Sequence, residues 1–185
     1  MYREDSTNPR DEIELGSVLV SLLDPAPGQE AAFHRWYERD HFYAGVMIGA
    51  GFFAGRRFVA TRELKELRYP ADTKILDGVR RGSYLTLYWL LAGHHAEIER
   101  WSTKQVQGLI ANDRMLSGRR PVHAGFYRHG WSAFRDADGV PAELALDHPY
   151  AGVVLVMLDR APEQAAALER WLREEHLPRV LPGSP

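Results

Sequence analysis

The chain copies part of itself. A constant offset lays GSVLVSLLDPAPGQEAAFHRWYERDHF, which begins at Gly16, over GVVLVMLDRAPEQAAALERWLREEHL, which finishes at Leu177. Val18 falls on Val153, Asp24 on Asp159, Pro27 on Pro162, Arg35 on Arg170, Trp36 on Trp171, Asp40 on Glu175 and His41 on His176. A repeated sequence means a repeated structural unit, so this match constrains the fold more than any local propensity does. The unit is a strand, a Pro-containing turn and a helix ending in an acid–His pair. The second copy spans only that first strand and first helix, which predicts an extra C-terminal β-α unit.

Local patterning fills in the rest of the first copy. The run SVLVSLL is aliphatic on both alternating faces and stops at Asp24-Pro25-Ala26-Pro27-Gly28, which predicts a buried strand. Phe33, Trp36, Tyr37, Asp40 and His41 then follow helical spacing. FFAGRRFVAT and SYLTLYWLL alternate as strands, with a charged connection from 62 to 82 between them. A second helix is expected from about His95 to about Ile110, and a fourth strand from Pro121 to Ser132. The expected organisation is a loose arm at 1–14, a main domain at 15–135, a linker at 136–150 and the partial second copy at 151–185.

Composition narrows the function classes. Lys plus Arg number 23 against 25 for Asp plus Glu, a formal charge of -2, so the chain lacks the cationic excess that nucleic acid or an anionic membrane attracts. It has no Cys, which removes thiolate nucleophiles, iron–sulfur clusters and Cys-ligated zinc. The polar start MYREDSTNPRDEIEL does not read as a secretory signal, and no apolar run nears ~18 residues, so a cytoplasmic location is expected. No GxGxxG, P-loop or HExxH motif is present, and neither a metal nor a cofactor is expected.

RWYERDHF with the Gly-rich turn and GRRFVA after it, and the echo RWLREEHLPRVLPG, resemble the dimeric α/β-barrel superfamily. The resemblance covers residues 16 to about 132, and 151 to 182 as a partial copy. Tyr43 and Ala44 depart from the superfamily's usual Pro and charged residue, whereas Pro178 keeps the usual form. The resemblance implies an α+β fold: a ferredoxin-like βαββαβ unit whose antiparallel sheet pairs with a partner's sheet in a homodimer. Its members include cofactor-free monooxygenases, cyclases, isomerases, haem-binding branches and proteins without known chemistry, so fold does not settle function.

Candidate chemistry falls in two places. His41 is an imidazole able to move a proton at neutral pH, with Asp40 to fix its tautomer and Trp36, on the same helix face, as a substrate-binding residue. The bland alternative is a helix C-terminal cap, since Glu175 and His176 repeat the pair. The second place is a sheet face carrying Tyr84, Thr86 and Tyr88, expected to share a wall with His123, Tyr127 and His129, with Arg57 to hold a carboxylate or enolate. The alternative there is an aromatic interface between subunits. The expected function is cofactor-independent acid/base catalysis of the cyclase, lyase or isomerase type, on a small apolar carbonyl or polyketide-like substrate. A non-catalytic dimeric binding or assembly module is the alternative, with a cofactor-free monooxygenase or a haem-binding member behind it.

Overall fold

A computed structural model describes residues 13–73, 76, 78–136 and 139–183. The arm expected at 1–14 lies outside them except for residues 13 and 14. The chain divides into two units, at Met1–His129 and Gly130–Pro185.

The first unit is α+β, built around one antiparallel sheet. Its elements are β1 (Leu15–Pro25), α1 (Glu30–Trp36), a π-helical continuation (Tyr37–Met47), β2 (Phe52–Val59), α2 (Arg62–Glu66), β3 (Tyr84–Leu91), α3 (His95–Ala111) and β4 (Arg119–Arg128). The strands lie in the order β2-β3-β1-β4, with every neighbouring pair antiparallel. β1 is central because it is aliphatic on both faces. The edge strands carry the charge: Arg56 and Arg57 on β2, and Arg119, Arg120 and Arg128 on β4 together with Pro121, which has no N–H to donate.

Cross-strand register settles which face meets the helices. Leu19 lies opposite Tyr88 and Phe126, and Leu23 opposite Tyr84. Tyr88 and Leu90 pack with Val46, Phe52 and Ile98, while Leu23 packs with Phe33 and Tyr37 against Tyr84. The row Tyr84, Thr86, Tyr88, Leu90 therefore faces the helix layer. Val18, Val20 and Leu22, with Leu85, Leu87 and Trp89, form the opposite face.

Two boundaries differ from expectation. The fourth strand ends at Arg128, not Ser132, because its ladder partner runs out: Ser17 is opposite Arg128, and the last bond is from His129 N–H to the Gly16 carbonyl at 2.9 Å. The first helix does not stop near His41. It continues to Met47 with i→i+5 bonding, as in the 3.0 Å bond from Ile48 N–H to the Tyr43 carbonyl.

The second unit holds a short α4 (Ala165–Trp171), a π-helical turn (Leu172–His176) and α5 (Leu177–Val180). The strand expected in the second copy is absent: residues 152–160 form no ladder. Val154 is 88% exposed and Val156 66%, against 3% for Val20 in β1. Aliphatic residues become a strand only when another strand takes up their N–H and C=O groups, and no strand in this unit does so.

Leu90→Ala, at a fully buried position, should lower unfolding free energy by about 2–5 kcal/mol. Leu158→Ala, where the side chain is largely exposed, should cost less than about 0.5 kcal/mol. Urea unfolding of both variants reads the contrast.

Candidate functional site

A polar network lies between the helices and the sheet. Arg57 on β2 is opposite Thr86 on β3 and so shares the helix-facing side. Its Nη1 donates to Glu38 Oε1 at 2.7 Å and its Nη2 to His34 Nδ1 at 3.3 Å, while the guanidinium sits 4.4 Å above the Tyr37 ring. A guanidinium only donates, so His34 Nδ1 is the acceptor and the neutral ring carries its proton on Nε2. That Nε2–H meets the Tyr84 hydroxyl at 3.1 Å. With its oxygen accepting from His34, Tyr84 keeps its own O–H to donate elsewhere.

Tyr84 opens on a cleft of about 420 Å³, lined also by Asp24, Glu30, Arg80, Arg81 and Arg120. Asp24, near the end of β1, shapes it. Its carboxylate accepts from Arg81 Nε at 3.1 Å, Gly82 N at 2.9 Å, and Ser83 N and Oγ at 2.7 Å each. Burial works against the charge, but these bonds outweigh it and hold the carboxyl below its ordinary range. Asp24 thereby fixes the approach to β3 and, with it, Tyr84. Glu30 is less committed, accepting one 3.4 Å bond from Gly28 N.

Tyr88 and Thr86 are on the same face but deeper, each 1% exposed. The Tyr88 hydroxyl pairs with that of Tyr37 at 3.1 Å. Burial first, then the neighbouring Tyr37, pushes the Tyr88 phenol well above its ordinary value. Neither Tyr88 nor Thr86 lines the cleft.

His41 and Asp40 part company. Asp40 pairs with Arg114, whose carbonyl accepts from Trp36 Nε1 at 2.8 Å. His41 stacks on Trp36 at 4.4 Å and 20°, with its Nδ1 buried and unpartnered. In the second copy Trp171 and His176 stack at 4.7 Å and 25°. In both, His stands five residues after Trp within i→i+5 helix, the spacing that brings one ring over the other. Burial, then the positive Arg119, lowers His41 to about 4 in spite of Asp40.

The sheet separates His123 and Tyr127 from Tyr84. His123 lies opposite Leu22 and Tyr127 opposite Val18, which places both on the far face, where they bond to each other at 2.7 Å. His129 lines a different cleft of about 290 Å³, alongside Ser17, whose Oγ is 2.7 Å from His95 Nδ1. Among the described residues no three His, Asp or Glu side chains gather to hold a metal ion, and no helix is long and apolar enough to cross a membrane.

Of the residues in this network, sequence reasoning singles out Arg57 and Tyr84 but not His34 and Glu38. Their i,i+4 spacing was the available signal, since it puts both on one side of a helix facing Arg57.

His41 gives stability an acid dependence. Unfolded, the imidazole titrates near ~6.5, and folded it titrates at about 4. Between those values the unfolded chain binds a proton that the folded chain refuses, so stability falls as pH drops through that window, by ~3 kcal/mol in all. His41→Phe keeps an aromatic ring over Trp36 and should remove this part of the loss, read as a flatter urea midpoint between pH 7 and pH 4.5. No protein-family model, no curated protein and no solved structure matches this chain.

Proposed function

We propose that the chain is a cofactor-independent acid/base catalyst acting on a small carbonyl compound in the Tyr84 cleft. The observation that carries this reading is the relay Glu38–Arg57–His34–Tyr84, which begins at a surface carboxylate and ends at Tyr84, a residue that lines the cleft. Glu30 is the carboxylate available to take a proton from the carbon beside the carbonyl. The C–H pair becomes the enolate double bond, and the carbonyl π electrons move to oxygen. Tyr84 donates to that oxygen, and the His34 Nε2–H stabilises the charge shifted onto the phenol. Return of the proton at another carbon gives isomerisation, while attack of the enolate or loss of a leaving group gives cyclisation or elimination.

The order β2-β3-β1-β4, with helices between the first and second strands and between the third and fourth, supports a ferredoxin-like unit of the dimeric α/β-barrel kind. A homodimer follows from that assignment.

The test is exchange of α-protons into D2O from a panel of 1,3-dicarbonyl compounds, followed by NMR. Exchange above the solvent background is expected, with a fall of about 10²-fold or more in His34→Ala and Glu30→Gln, and about tenfold or more in Tyr84→Phe. His123→Ala should leave the rate unchanged. A rate indifferent to His34 and Tyr84 would remove the proposal.

A further inference from the structure

We infer that the ligand of the Tyr84 cleft carries a carboxylate, held between Arg80 and Arg120. The inference rests on the reading of this cleft as the reaction site and adds the substrate class. The charges lining the cleft do not balance: Arg80, Arg81 and Arg120 face Asp24 and Glu30. They are also unequally committed. Both Asp24 oxygens are saturated by Arg81, Gly82 and Ser83, so Asp24 has no acceptor left for the other guanidiniums. Among the described residues neither the Arg80 nor the Arg120 side chain makes an ion pair or a hydrogen bond.

Their positions are not accidental ones on a flat surface. Arg120 is fixed by the β-ladder, directly opposite Asp24. Arg80 sits next to Arg81, whose side chain Asp24 clamps. Two cations are thus brought to one concavity by the device that places Tyr84 there. A bound carboxylate would bring the lining charge to zero, and guanidinium is the cation best matched to carboxylate geometry. The other walls are Pro25, Pro27 and the Tyr84 ring, surfaces that suit an apolar body more than bulk water. The ligand class is a small organic acid whose carbonyl reaches Tyr84 while its carboxylate meets the arginines.

The test uses benzoate, its neutral isostere benzamide, and inorganic phosphate, each titrated into the full chain and followed by backbone amide NMR shifts. Benzoate should shift the amides of Arg81 to Tyr84, with benzamide and phosphate each at least tenfold weaker, and raised NaCl should weaken benzoate. Arg80→Gln/Arg120→Gln should weaken benzoate at least tenfold; both side chains are solvent-facing, so the fold should survive. Benzamide binding as well as benzoate, phosphate binding as tightly, or an unchanged affinity in the double variant would overturn the inference. Wild-type benzoate affinity in a His34→Ala protein whose α-proton exchange is also wild-type would keep the carboxylate site and remove only the catalytic reading.

Discussion

The two-sided pairing of β1 governs the first unit. A strand that is aliphatic on both faces cannot sit at an edge, so it takes β3 on one side and β4 on the other and pushes the Arg-bearing strands outward. That central position sends Asp24, one residue before the strand ends, into the approach to β3. A carboxylate there collects two backbone N–H groups, a hydroxyl and a guanidinium. The cleft beside Tyr84 is therefore a consequence of where β1 stops.

Much of this was readable in advance. The strand–helix–strand–strand–helix–strand order came from periodicity, and the grouping of Tyr84, Thr86 and Tyr88 came from the two-residue repeat of a strand. Period two assigns residues to a common face but does not say which layer covers it. Tyr88 consequently turned out sealed beneath Tyr37, and His123 and Tyr127 lay across the sheet from Tyr84. A bulge in β4 between the partners of Leu22 and Leu23 belongs to the same class of detail, since it arises from ladder geometry and leaves no residue signature. His34 escapes notice because it stands beside Phe33, the residue that marks the buried side of α1.

The acid–His ending of the repeat shows how a chemical motif can have a geometric cause. Five-residue spacing between Trp and His is unhelpful in an α-helix, where the two point in different directions, and productive in a π-helix, where they stack. The repeat preserves that spacing in both units, with nearly equal ring separations. What the copies do not share is burial: Trp171 is 43% exposed, whereas His41 is enclosed enough to leave its Nδ1 without a partner. One sequence device thus produces an open ring stack in one place and an enclosed one in another.

The bare aliphatic run at 152–160 bears on how the protein behaves in concentrated solution. Val154, Val156 and Leu158 form an uncharged stretch with strong β propensity and backbone groups unclaimed by any ladder, the pattern that nucleates cross-β stacking. Asp159 and Arg160 follow at once, one charge of each sign, and Pro162 comes two residues later. Asp147 and Pro149 stand at the other end, the proline as far before Val153 as Pro162 is after Leu158, so a charge and a proline gate the segment on both sides and hold its cross-β tendency in check.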